Sequence, residues 1–195
     1  MKTLLEHLRI AILSTIVLTV ILCGIYPLVI WGLAQAVFPS RANGSLVVRN
    51  GVVVGSSLIG QNFTAPQYFH PRPSAAGNGY DGANSSGTNL GPTSQKLLDA
   101  VKDRVAAYRK ENGLADNALV PADAVTASAS GLDPHISERN AALQVARVAK
   151  ARHLSEDEVR RLVAQHIDGP DLGILGDPGV NVLMLNLALD DLGRR

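Results

Sequence analysis

Ile10-Ala-Ile-Leu-Ser-Thr-Ile-Val-Leu-Thr-Val-Ile-Leu-Cys-Gly-Ile-Tyr-Pro-Leu-Val-Ile-Trp-Gly-Leu-Ala-Gln-Ala-Val-Phe38 carries no charged side chain in 29 residues. As a helix the run would rise roughly 43 Å, more than the span of about 20 residues that a hydrocarbon core requires. Tyr26 and Trp31 sit towards its far end, where amphipathic rings favour the headgroup region. Pro27 lacks a backbone donor and predicts a kink. The alternative is a cleaved signal peptide, and Ala34-Gln35-Ala36 has the small-x-small form of a cleavage site. Secretory apolar regions run only about 7–15 residues, so the stretch reads as a retained anchor. It divides the chain into a short flank (1–9), a transmembrane helix (10–38) and a soluble domain (39–195).

Charge does not orient the anchor. Lys2 and Arg9 on one side balance Arg41 and Arg49 on the other, and long domains cross regardless of charge. The brevity of the N-terminal flank favours its staying in the cytoplasm. At 100° per residue, Thr15, Thr19, Cys23 and Tyr26 share an arc of about 80°, with Ala11 at its edge. Small and hydroxylated residues on one face predict close packing on another helix; the alternative is threonine bonded back to its own helix, facing lipid.

The whole chain has 195 residues, with 46% apolar, 18% charged, and 18 Lys+Arg against 17 Asp+Glu. So low a charged fraction gives disorder and nucleic-acid binding little support, and the balance of signs leaves no basic stripe. Beyond the first nine residues, acids and bases are equal in number, so nothing draws the domain onto anionic lipid heads. Cys23 is the only cysteine, so the cysteine count is silent on redox compartment.

Downstream, Ser45 to Val54 reads as a β-hairpin turning on Asn50-Gly51, because both central positions of the favoured turn require positive φ. From Gly60 to Pro92 the chain is rich in Gly, Pro, Ser and Asn and too long for an ordinary connection. Phe63, Tyr68, Phe69 and Tyr80 give this loop something to bury. Helices are expected after Ser94, after Ser137 (to about His153) and after Ser155, whose Glu158 completes a capping box ahead of Gly169-Pro170. Val182 to Leu189 is ambiguous, alternating like a strand but built of helix formers. These elements predict one transmembrane helix followed by an α+β domain with an N-terminal hairpin and about three helices.

Chemistry is sparse. Neither a phosphate loop nor a phosphorylated Asp-Lys-Thr-Gly occurs. Gly77-x-Gly79-x-x-Gly82 matches a dinucleotide fingerprint by letter, but follows no strand and opens no helix. His70, His135, His153 and His166 have no metal-ligand spacing. Ser128, Ser130, Asp133 and His135 supply the residue types of a hydrolase triad, too close in sequence to converge as nucleophile, base and orienter. Sequons at Asn43, Asn62 and Asn84 matter only in a eukaryotic secretory context.

Several blocks are nonetheless specific: Gly55-Ser-Ser-Leu-Ile-Gly-Gln61, Tyr68-Phe-His-Pro-Arg72-Pro-Ser-Ala75, Ser86-Gly-Thr-Asn-Leu-Gly-Pro92, Thr126-Ala-Ser-Ala-Ser-Gly-Leu-Asp-Pro-His-Ile-Ser137 and Pro178-Gly-Val-Asn-Val-Leu-Met-Leu-Asn-Leu-Ala-Leu-Asp190. In content and order they resemble the C subunit of the bacterial Kdp potassium-transporting ATPase. Thr88, Ala129 and Gly179 depart from that pattern, where Ser, Gly and Arg would stand.

The resemblance implies a single span in the bacterial inner membrane, a cytoplasmic N-terminus and a periplasmic domain. It implies a complex with a potassium-channel-like subunit, a P-type ATPase subunit that carries the phosphorylated aspartate, and a small single-span subunit. It also implies a catalytic chaperone that raises the motor's ATP affinity in a ternary complex with ATP, with Ser86, Gly87 and Asn89 as nucleotide candidates. A periplasmic domain cannot touch cytoplasmic ATP, so these implications conflict. No Lys or Arg lies between Arg72 and Lys96 to meet phosphates, although a nest of backbone amides remains open to an anion. Candidate partner contacts are Thr15, Thr19 and Cys23 on the anchor and Gln61, Arg72, Asn89 and Asp133 on the loops. The alternative is a membrane-anchored periplasmic hydrolase or ligand-binding receptor.

Overall fold

A computed structural model describes residues 2–193, the side chain of Lys2 (counted above in the N-terminal flank) lying outside that description. Two compact units divide after Leu46. In the first, helix α1 (Lys2–Thr19) passes through a π-helical turn (Val20–Ile25) into α2 (Tyr26–Val37). Together, Thr3–Val37 form a 35-residue helix long and apolar enough to cross a membrane. Helix thus extends back through the flank, whose Leu, Glu and Arg are good helix formers. It ends one residue before Phe38, because Pro39 disfavours helical geometry in its predecessor (φ −133°). Pro27 leaves its mark upstream: Tyr26 N–H reaches back to Ile21 C=O, an i−5 bond within the widened turn. Thr15 Oγ1 donates to Ala11 C=O at 2.8 Å, the back-bonded alternative for that side chain. A short helix, α3 (Pro39–Ala42), follows.

The division falls after the first residue of β1 (Leu46–Arg49), which pairs with β2 (Val52–Ser56) across Asn50 (φ 51°) and Gly51 (φ 78°) as the hairpin motif requires. Helix α4 (Gln95–Glu111) begins after Ser94, which makes no side-chain cap. Strand β3 (His135–Ile136) leads into α5 (Glu138–Arg152), capped by Ser137 and closed by His153 in the left-handed region (φ 57°). The capping box of Ser155 and Glu158 opens α6 (Glu156–Gln165). That helix stops short of Gly169-Pro170, leaving Ile167–Asp168 as β4. Strand β5 (Gly179–Asn181) runs straight into α7 (Val182–Leu192). The ambiguous run is therefore an α-helix, the fourth of the second unit among the described residues. The Asn181 side chain caps it by accepting Met184 N–H at 3.2 Å, and Val182, Leu185, Asn186 and Leu189 bury one face at helical spacing. The alternation of leucines is incidental to that spacing.

The three short strands form an antiparallel sheet in the order β3-β5-β4, Val180 standing opposite both Ile136 and Ile167. The core joins this sheet to α5, α6 and α7 through Val145, Val148, Val159 and Leu185, with Phe69 from the long loop fully buried among them.

Amide side chains order that loop. Asn186 of α7 accepts Phe69 N–H at 2.8 Å and donates to Phe69 C=O at 2.9 Å. Gln144 of α5 does the same for His70, at 2.7 and 3.1 Å. Two neighbouring residues are thus held from two helices as a sheet partner would hold them. Arg147 donates to the carbonyls of Pro66 and Tyr68, and Arg152 to that of Gln67. The backbone of a segment with no secondary structure is thereby satisfied.

Candidate functional site

Of the two polar loops, one runs from Gly60 to Pro92 and the other from Thr126 to Ser137, and they are laced together. Gly60 N–H donates to Leu132 C=O at 2.9 Å, Ser74 Oγ to Gly131 C=O at 2.7 Å and Ser86 N–H to Ser130 C=O at 3.0 Å. Gly131 is the pivot. Its φ of 68° favours glycine, and a methyl group there would stand 2.7 Å from both Ala76 N and Ser86 O.

Across this seam Arg72 Nη1 donates to Asp133 Oδ2 at 2.7 Å, while Asp133 Oδ1 accepts the backbone N–H of His135 at 2.9 Å. Tyr80 Oη donates to Arg72 C=O at 2.9 Å, and Arg72 Nε is buried without a hydrogen-bond partner among the described residues. The imidazole of His135 places Nδ1 3.7 Å from Asp133 Oδ1 and Nε2 3.1 Å from Asp168 Oδ2. The ring reaches β4 by crossing β5 at Gly179, where a methyl group would stand 3.3 Å from His135 Cβ. Glycine at a position where the resemblance has arginine keeps that lane open.

Burial acts against the charged form of Asp133, yet hydrogen bonds from His135 and Arg72 hold its carboxyl down at about 2. The pKa of His135 is raised, first by the Asp133 carboxylate 3.7 Å from its ring and then, against burial, by Asp168. Burial, with Asp133 nearby, pushes the Tyr80 hydroxyl above the usual phenol range.

The signs for stability are opposite. A depressed Asp133 contributes stability that is present above the ordinary value of 3.8 and is lost as the pH falls towards about 2. A raised His135 contributes stability that is complete below 6.5 and is lost as the pH rises through its folded value. Melting temperature of the full chain in detergent should therefore decline from mildly acidic to mildly alkaline pH. His135→Gln should flatten that decline, and an unchanged slope would remove the imidazole from the account.

The sequence candidates fall out as follows. Arg72 and Asp133 meet. Gln61 lies nearby but is spent on the fold, its Nε2 donating to Val54 C=O at 2.8 Å. Ser86 bonds across the seam, Gly87 backs onto Ala129, and Asn89 (φ 52°) is exposed. Thr15, Thr19 and Cys23 belong to the other unit. The triad is not assembled: Ser128 Oγ accepts Gly131 N–H at 2.9 Å and Ser130 Oγ accepts Leu132 N–H at 3.1 Å, so both serines shape turns.

Sequence reasoning missed Gln144 and Asn186, the residues that position the loop, and Asp123, which accepts from Ser137 N, Ser137 Oγ and Asn140 Nδ2 at 2.8 Å each. The signal for Gln144 and Asn186 is an amide at a core position of an otherwise apolar helical face.

A model of the family described as "KdpC: K+-transporting ATPase, c chain" matches residues 8–191. The chain is 58% identical over 182 residues to the "Potassium-transporting ATPase KdpC subunit" of Mycobacterium tuberculosis, covering 93% of this chain and 96% of that one. It is 55% identical over 185 residues to the subunit of that name from Koribacter versatilis, covering 95% and 94%. It is also 55% identical over 191 residues to that of Nitratidesulfovibrio vulgaris, covering 97% and 96%. With most of its long apolar helix and all of its laced loops inside the matched region, the chain belongs to the KdpC family, the c chain of the K+-transporting ATPase.

Proposed function

We propose that this chain is the accessory, non-motor subunit of a potassium-transporting ATPase complex of the bacterial inner membrane. One span holds it there, with the N-terminus in the cytoplasm and residues 39–195 in the periplasm. A potassium-channel-like subunit, a P-type ATPase subunit and a small single-span subunit are its partners. The family match from residue 8 to residue 191, through anchor and domain alike, carries this reading.

Its contribution to ATP use is made by contact, aiding assembly and the motor's affinity for nucleotide. The Ser86–Asn89 segment is a poor fit to ATP itself. Ser86 N–H is committed to Ser130, Gly87 is packed on a backbone, and no cation stands between Arg72 and Lys96. A triphosphate without cations or a free row of amides would be held weakly.

Co-expression with an affinity-tagged motor subunit tests the reading. The full chain should be recovered with the motor in mild detergent, and potassium-stimulated ATP hydrolysis should require it. Alone, it should neither hydrolyse nor tightly bind ATP. Exposed Asn78, changed to cysteine in a Cys23→Ser background, should react with an impermeant maleimide once the outer membrane is opened. Labelling only after inner-membrane lysis would place the domain in the cytoplasm and restore direct contact with nucleotide.

A further inference from the structure

Between β4 and β5 the chain forms a small finger. Asp171 N–H donates to Leu175 C=O at 2.8 Å and Leu175 N–H returns to Asp171 C=O at 2.9 Å. Leu172 (φ 54°) and Gly173 (φ 77°) turn the tip. Its side chains are the wrong ones for water: Leu172 is 89% exposed, Ile174 82% and Leu175 57%. The first two exceed every large apolar side chain of the membrane helix in exposure. Leu172 also holds the left-handed region, which is uncommon for a bulky residue.

The surroundings are acidic. No Lys or Arg occurs from residue 162 to residue 193, while Asp168, Asp171 and Asp177 flank the finger. Among the described residues neither Asp171 nor Asp177 pairs with a cation.

Apolar tip and acidic collar together select the occupant. Anionic lipid heads would repel the collar, and the finger lacks the Trp, Tyr, Lys or Arg that settle segments at a bilayer interface. A second copy of this chain, meeting it isologously, would set collar against collar. We infer that the 171–175 finger docks in an apolar recess, rimmed by Lys or Arg, on a co-assembled subunit of the ATPase complex. This rests on the functional reading above.

The test uses the full chain co-expressed with the other subunits and carrying Leu172→p-benzoylphenylalanine. Irradiation should give an adduct with a partner subunit, identified by mass spectrometry. The same probe at Leu119, 71% exposed elsewhere on the domain, should give none. Adding Asp171→Asn and Asp177→Asn should lower the yield by at least about threefold, the loss expected of a charged rim. An adduct with lipid alone, with a second copy or with nothing overturns the inference, as does a yield indifferent to both aspartates. A wild-type chain that does not co-purify with the motor overturns the functional reading as well, whereas one that co-purifies without crosslinking at Leu172 overturns the finger alone.

Discussion

Asp133→Ala should destabilise the full chain by about 3 kcal/mol, seen as a drop of roughly 6–12 °C in melting temperature. The carboxylate joins three things: the Arg72 guanidinium, the backbone N–H of His135 and, at 3.7 Å, the His135 ring. Its removal leaves a half-buried guanidinium whose Nε already has no partner among the described residues. Removing one member of such a pair costs more than the pair is worth, since the other charge stays behind desolvated. Asp133→Asn keeps an acceptor for His135 N–H but loses the charge, and should cost about half as much. Because the seam carries the loops proposed to meet partner subunits, potassium-stimulated ATP hydrolysis by the complex should also fall at equal assembly. A melting temperature for Asp133→Ala within a degree or so of wild type, on a scale where about 1 kcal/mol moves it 2–4 °C, would show the seam to be held by the backbone bonds alone.

Local rules made much of this legible in advance. The long apolar helix followed from the want of charge, the hairpin from Asn50-Gly51 and two helix starts from Ser137 and Ser155, because each is decided by residues adjacent in sequence. Val182–Leu189 resisted because alternation and helix propensity disagree there, and burial against α5 and α6 decides between them. The three-stranded sheet was invisible: strands of two or three residues carry no periodicity, and their pairing links Ile136, Ile167 and Val180 across long loops. Arg72 and Asp133 were picked out as polar groups with no evident local need, and the fold supplies that need by bringing them together. Gln144 and Asn186 went unnoticed for the converse reason. Their partners are main-chain atoms of Phe69 and His70, which no side-chain pattern announces.

Those two amides carry the largest stability effects. Asn186→Leu fits the apolar surroundings by volume but orphans a buried N–H and C=O of Phe69, at about 1–3 kcal/mol each. A loss of about 3–5 kcal/mol follows, comparable to removing the Phe69 ring itself by Phe69→Ala. Gln144→Leu should cost somewhat less, because His70 is only half-buried and water can replace part of what it loses. Combining the two is the sharper measurement. Once either clamp is gone, the segment around Phe69 can swing towards solvent, and the remaining amide has less to hold. The double variant should therefore fall short of the sum of the singles by about 1–3 kcal/mol in urea unfolding of the full chain in detergent. Limited proteolysis should cut near Tyr68 in either single variant and not in wild type. Strict additivity, with the loop still resistant in both singles, would mean that Phe69 is held by its own burial, and that the amides merely satisfy a backbone already in place.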